Sequence, residues 1–166
     1  IDSSSARIKK LKENLNRMNM NADVIQKDFY DFESKKKFDL VLIDVPCSST
    51  GTIRKNKEIQ YLDPFKRLKN LLKIQEDSLN IAKNFVKDKG YILYCNCSLF
   101  FSEGEDKIHN FIKENSNWKF EKFIKNNKKI EKEWIDKSGF LRLRPDHLYN
   151  EGGMDGFFAA LLKKIS

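Results

Sequence analysis

Residues 38–51 read FDLVLIDVPCSSTG. Leu40, Val41, Leu42 and Ile43 form an apolar run bounded by charge, the pattern of a strand buried on both faces. The run stops at Asp44, and Pro46, Cys47, Ser48, Ser49 and Gly51 follow at once, which is the composition of a tight turn. Open α/β sheets take their ligands at the carboxyl ends of strands. A carboxylate and a thiol carried on such a turn therefore mark a candidate site.

Working outward, a polar loop over 52–61 carries Arg54, Lys55 and Lys57. Asp63-Pro64 then sets a helix start, with Asp as N-cap and Pro at the first helical position. Leu68, Leu71, Leu72, Gln75, Leu79, Ala82 and Val86 continue that helix to Lys87, and Gly90 stops it. Tyr91-Ile92-Leu93-Tyr94 is a second buried strand, and it too runs into cysteine, Cys95-Asn96-Cys97-Ser98. Upstream, Ser3 to Ser5 offer N-caps for a helix reaching about Met20, with Ile8, Leu11, Leu15 and Met18 on one face. A short strand is expected over 22–26, closing on Lys27-Asp28. Downstream come a helix from about Ser102 to Lys113, an alternating strand over 118–124, and a Lys/Asn-rich insertion over 126–137. An extended stretch over 140–144 and an apolar terminal strand over 156–162 complete the chain. Strands alternating with helices predict a Rossmann-like α/β sheet, mostly parallel with right-handed crossovers. The last two strands lack a helix between them, so an antiparallel hairpin closing one edge is expected.

The 166 residues fit one domain, taken as 1–166, long enough to bury a core. The formal net charge of +8 favours a polyanionic partner such as RNA, although a Lys-, Asn- and Ile-rich chain is also what an AT-biased genome produces. No apolar run approaches the roughly 20 residues of a membrane-spanning helix. Three cysteines without framework spacing point to free thiols in a reducing cytoplasm. There is no initiator Met, and Ile1-Asp2 reads as the end of a strand already in progress, so a fragment of a longer protein is expected.

Four features fall at strand ends: Asp2, Asp28, Asp44 and Cys97. An acidic residue at the second strand end of a nucleotide-binding half takes ribose hydroxyls. A single Asp after a strand is more often only a cap, so the weight lies in the set. Most free cysteines are small, buried and inert. Cys47 and Cys97 differ in sitting at strand ends beside small polar residues, and Arg54 and Lys55 are available to make the site of Cys47 electropositive, as a reactive thiol requires. Cys95 alternates in step with Cys97 along one strand. The pair makes a poor metal site because further ligands are wanting and only His109 and His147 are present, neither at a strand end. A thiol hydrolase ranks low for the same reason.

The motifs resemble those of RNA cytosine-C5 methyltransferases. Asp44-Val45-Pro46-Cys47-Ser48-Ser49-Thr50-Gly51 resembles that family's DAPCSGTG motif. Asn96-Cys97-Ser98 with Glu103-Gly104-Glu105 resembles its TCS…ENE motif, and residues 153–160 (GMDGFFAA) resemble its closing DGFF-A strand. The likeness runs from Asp2 to the end and is nearest to the bacterial Sun/RsmB type, which methylates small-subunit ribosomal RNA. The resemblance implies that Cys97 is the nucleophile and Cys47 the second cysteine, assisting product release. It further implies that Asp2 and Asp28 contact the ribose and adenine side of S-adenosylmethionine, and that Asp44 lies beside both cofactor and cytosine. Ser49, Asn96 and Gly104 depart from the usual Gly, Thr and Asn. The family's Gly-rich first strand and turn, and its N-terminal RNA-binding region, are expected upstream of Ile1. The chain alone is accordingly expected to bind cofactor weakly or not at all and to be inactive.

The chemistry accounts for the residue types. Cytosine C5 becomes nucleophilic once a thiolate adds to C6, and a carboxylate at the N3/N4 edge stabilises the charge that builds. A proton must then leave C5 and the thiol must be expelled, which gives a second thiol a role. The base must be unpaired or extruded to enter such a site. The rival reading is a basic RNA-binding module without catalysis, which predicts salt-sensitive binding and no covalent adduct.

Overall fold

A computed structural model describes residues 1–123 and 130–165. Residues 124–129, which hold the end of the strand expected over 118–124 and the start of the Lys/Asn-rich insertion, lie outside the described residues. The chain forms two compact units, Ile1–Lys35 and Lys36–Ser166.

The first unit is built on helix α1 (Ser5–Arg17). Ser4 caps it, its hydroxyl accepting from the Arg7 amide, and Asp2 Oδ1 accepts from Ser4 N at 2.8 Å. The apolar stripe forms the helix but buries only Ile8, while Leu11 and Met18 are 41% and 57% exposed. The strand expected over 22–26 reduces to one parallel bridge between Asp2 and Gln26. Within 22–26, Ala22, Asp23 and Gln26 carry little β-propensity, which leaves Val24 and Ile25 too short a run to extend it.

The second unit is an open sheet in the order β1-β2-β5-β3, with β4 also paired to β5. Its strands are β1 (Phe38–Asp44), β2 (Val86–Asn96), β3 (Trp118–Glu121), β4 (Leu141–Leu143) and β5 (Phe157–Lys164). β1 and β2 are parallel, and β5 is antiparallel to β2, β3 and β4. The first four strands thus share one direction and only the terminal strand is reversed. This is a Rossmann-like α/β sheet. Helices α2 (Pro64–Ala82) and α3 (Glu105–Glu114) connect and pack on it. Asp63 caps α2 as expected, accepting from the Phe65 and Lys66 amides.

Three expectations are corrected and a fourth is refined. The helix ends at Ala82 rather than Lys87, passes through a 3-10 turn over Lys83–Phe85, and β2 begins at Val86. Gly90 is inside that strand and stops no helix: Val86 pairs with Phe38, and the register then skips to Leu40 opposite Tyr91. β1 is not buried on both faces, since Ile43 is 8% exposed while Leu40 and Leu42 are 50% and 60% exposed. Its alternating side chains meet cover on one side only. The β4–β5 hairpin forms, and β4 lies at the edge as expected, while β5 itself lies inside the sheet with β3 and β4 sharing its far side.

The core sits under β2 and β5. Tyr94 meets Phe158 edge-on at 6.2 Å, and Phe158, Phe140 and Phe120 continue the cluster. Leu79, Ile92 and Leu162 are 1% exposed or less, each contributing about 2 kcal/mol by its burial. Arg142 on β4 is the main polar strut. Its guanidinium forks onto the Glu105 carboxylate, its Nη1 donates to Ser98 O at 2.7 Å, and it lies 4.5 Å over the Phe158 ring.

Gly51 joins the turn after β1 to the rest of the sheet. Its N–H donates to Cys97 O at 2.8 Å, and its carbonyl accepts from Gly156 N at 2.7 Å. A Cβ there would lie 2.4 Å from Gly156 O and 2.7 Å from Cys97 O, both backbone atoms that cannot step aside. Gly51→Ala should therefore lower unfolding stability by about 3 kcal/mol, read as a reduced denaturant midpoint, because overpacking against backbone forces the turn away.

Candidate active site

The two cysteine-bearing turns meet. Cys47 stands three residues past the end of β1 and Cys97 one past the end of β2, and their sulfurs are 3.4 Å apart. Parallel pairing makes this possible, because Asp44 lies opposite Cys95 and Val45 N donates to Cys95 O at 3.1 Å. Asn96, wholly buried, shapes the second turn: its Oδ1 accepts from Ser98 N and its Nδ2 donates to Glu103 O.

Two thiols in contact do not ionise alike. Once one proton is lost, the remaining S–H donates to the thiolate and a second ionisation is opposed by charge. The Cys97 thiol is lowered to about 6, chiefly by the hydrogen bond from Cys47, against burial, with Ser49 adding a further lowering bond. The same contact, with burial, pushes Cys47 far upward. Cys97 Sγ is 3.6 Å from Ser49 Oγ. Ser49 has φ 59°, in the left-handed region, where the resembling motif has Gly. The substitution costs backbone strain and places a hydroxyl at the sulfur.

Of the two cations expected to make the site of Cys47 electropositive, Lys55 is engaged elsewhere. Lys55 pairs with Asp155 at 2.7 Å, and the largest influence lowering Cys97 is the hydrogen bond from Cys47 rather than a cation. Cys95 shares Asp44 as a neighbouring charge with Cys97 but is buried, its thiol pushed up to about 11. It is a packed thiol. Burial also raises the Asp44 carboxyl. A cleft of about 320 Å³ opens beside Cys47, lined among others by Ser49, Asn56, Glu58, Leu62 and Arg67. His147 Nδ1 accepts from Arg144 N, and His109 packs edge-on against Phe140, so each histidine has a structural partner away from the thiols. Among the described residues no group of three or more His, Cys, Asp or Glu is placed to hold a metal.

In the first unit, Asp2 is held by a two-point Arg7 fork at 2.7 and 2.8 Å, which lowers its carboxyl. Asp28 Oδ1 accepts from Tyr30 N at 2.9 Å. Both carboxylates serve local turns, and each has more acceptor positions than these bonds use.

Sequence reasoning passed over Glu103, Gln75 and Arg142 as site residues. Ser48 N and Oγ, Ser98 Oγ and Gln75 Nε2 all donate to the Glu103 carboxylate. The signal for Glu103 was its place in a motif; Gln75 and Arg142 carried none.

The site is thus an open Rossmann-like α/β sheet whose two adjacent strand ends bring a pair of thiols into contact. A family model described as 16S rRNA methyltransferase RsmB/F matches residues 1–163. The chain belongs to this family. It is 28% identical over 169 residues to the ribosomal RNA small subunit methyltransferase B of Shewanella oneidensis, covering 100% of this chain and 37% of that protein. The crystal structure of PH0851 superposes with a TM-score of 0.81 at 29% identity, over 98% of this chain and 36% of that one. NSun6 from Pyrococcus horikoshii, solved with SFG, shares the fold at a TM-score of 0.76 and 23% identity, over 99% and 40%. The chain thus spans little more than a third of the length of such relatives.

Alkylation by iodoacetamide, followed by mass spectrometry as a function of pH, should modify Cys97 with a midpoint near 6. Cys47→Ala should move that midpoint toward the ordinary thiol value of about 8.5. Ser49→Gly should move it upward by less, while raising stability by about 1 kcal/mol through relief of the left-handed backbone. An unchanged midpoint in Cys47→Ala would show that the thiol contact does not govern ionisation.

Proposed function

We propose that this chain forms part of an S-adenosylmethionine-dependent methyltransferase acting on C5 of a cytosine in small-subunit ribosomal RNA, in the cytoplasm. The observation that carries the proposal is the 3.4 Å contact between Cys47 and Cys97, in which one thiol ionises and its neighbour keeps a proton.

Cys97, ionised near neutrality, is the nucleophile and adds to cytosine C6. Bound S-adenosylmethionine supplies an electrophilic methyl group. Asp2 and Asp28 fit the nucleoside part of that cofactor, since spare carboxylate acceptor positions match ribose and adenine donors. Asp44, its carboxyl raised by burial, would lie beside the cofactor and the cytosine N3/N4 edge, where in its protonated form it would donate to N3 and stabilise the charge that develops on addition.

Cys47 then has a timed role. While Cys97 is a free thiolate, Cys47 stays protonated. When the Cys97 sulfur is bonded to carbon, the charge that held up the Cys47 pKa is gone. Cys47 can then release its proton to solvent and, as a thiolate, take the C5 proton as the C6–S bond breaks, so that one proton leaves the site for each methyl group transferred. Cys97 leaves as a thiolate, Cys47 regains its S–H, and the pair returns to its resting protonation.

In the natural protein, Cys97→Ser should abolish methyl transfer to small-subunit RNA, by at least about 10³-fold for loss of a covalent nucleophile. Cys47→Ala should instead accumulate a protein–RNA adduct that resists denaturing electrophoresis. If Cys47→Ser loses turnover while Cys97→Ser keeps it, the roles are reversed. If 5-fluorocytosine-containing RNA binds in a salt-sensitive manner yet never becomes covalently attached, the chain is a basic RNA-binding module.

A further inference from the structure

Glu103 is 0% exposed, and among the described residues its carboxylate accepts from neutral groups. Ser48 N and Gln75 Nε2 donate to Oε1 at 3.0 and 2.9 Å; Ser48 Oγ and Ser98 Oγ donate to Oε2, each at 2.5 Å. Ser48 follows Cys47 and Ser98 follows Cys97, so one side chain is bonded to both cysteine-bearing turns. Gln75, on α2, also donates to Pro46 O at 2.9 Å, just ahead of Cys47. The residue is itself fixed from behind, its carbonyl accepting from Tyr94 Oη and Asn96 Nδ2 at 2.8 and 2.7 Å. Thr50 Oγ1, 3.3 Å from both serine hydroxyls, closes the cluster and accepts from Leu99 N.

A buried carboxylate is costly to keep away from water, and charge-assisted bonds are what offset that cost. Packing alone does not call for one here. What the position requires is an acceptor that faces two turns at once and reaches both.

We propose that Glu103 is the positioning residue that sets the distance between the Cys47 and Cys97 sulfurs, by clamping Ser48 and Ser98 to a single carboxylate. The proposal rests on the reading that this sulfur pair is the reacting pair, but its test reads thiol chemistry and needs neither RNA nor cofactor. Gln at 103 preserves the clamp: its oxygen can keep the Ser48 N and Gln75 bonds, and its NH2 can donate to the two serine hydroxyls once they rotate. Asp at 103 keeps the charge but falls short by one methylene, about 1.5 Å, and cannot hold both turns.

The experiment is the pH dependence of iodoacetamide alkylation at Cys97 in Glu103→Gln and Glu103→Asp, with circular dichroism confirming the fold. Glu103→Gln should keep the midpoint at about 6 or below it, since removing a nearby negative charge only favours a thiolate. Glu103→Asp should move the midpoint up by about two units toward that of an ordinary thiol. A folded Glu103→Asp with the unaltered midpoint overturns the proposal, as does a Glu103→Gln that shifts as far as Glu103→Asp. Should Glu103→Asp not fold, Ser48→Ala removes one arm of the clamp while sparing the carboxylate; an upward shift supports the proposal and no shift overturns it. Loss of methyl transfer with an unaltered alkylation profile would bear on the catalytic roles and leave the clamp refuted by its own measurement.

Discussion

The structure of the site depends on a close backbone passage. Gly51 lies between Cys97 O and Gly156 N, bonded to both, with no room for a side chain. Through it the turn after β1 is pinned to the end of β2 and to the start of β5. Three chain segments from distant parts of the sequence thus share one point. The sulfur contact, the hydroxyl cluster and the Glu103 bonds all lie within a few residues of that point. Parallel pairing of β1 with β2 brings the two strand ends level, and the glycine brings the turns into contact. Arg142 completes the frame from the opposite side, its bond to Ser98 O tying β4 to the Cys97 turn. That guanidinium needs the space beside Gly104, where a Cβ would lie 2.5 Å from Nη2.

The departures from the family motifs form a consistent set. Asn96 in place of Thr accepts from Ser98 N and donates to Glu103 O, so it ties the Cys97 turn to the residue that holds both turns. Ser49 in place of Gly accepts a left-handed backbone and contributes a hydroxyl near Cys97. Gly104 in place of Asn admits Arg142. Ser49 touches the Cys97 sulfur directly, Asn96 and Gly104 act on the residues that hold its turn, and both sulfurs keep their place.

Much of the fold was legible because it rests on local rules. Asp63-Pro64 marked the start of α2 through capping and fixed φ, and the β1 run ended where Asp44 and Pro46 said it would. The end of α2 was misread because Gly90 looked like a stop, whereas long-range pairing of Val86 with Phe38 drew residues 86–90 into a strand. The exposure of Leu40 and Leu42 was equally hidden: an apolar run reports what a strand can bury, and cover is decided by which elements reach each face. The place of β5 inside the sheet depends on non-local pairing that no window of sequence contains. At the site, the motif residues Asp44, Cys47 and Cys97 could be picked out singly. Their ionisation could not, because it arises from a sulfur-to-sulfur distance. Arg54 and Lys55 looked like the source of an electropositive site by proximity in sequence, but Lys55 is drawn to Asp155. Gln75 and Arg142 reach the site across the fold and left no local trace.

The sulfur contact also gives the site a redox character. Two sulfurs at 3.4 Å, one readily ionised, are well placed for oxidation to a disulfide. A two-electron oxidant such as a peroxide would convert the thiolate to a sulfenic acid, and the adjacent thiol would displace water to form the S–S bond. Both sulfurs would then be unavailable at once, and a thiol reductant would be needed to restore them. An arrangement that lets one cysteine hold the proton for another therefore ties the reactivity of both to the reducing poise of their surroundings.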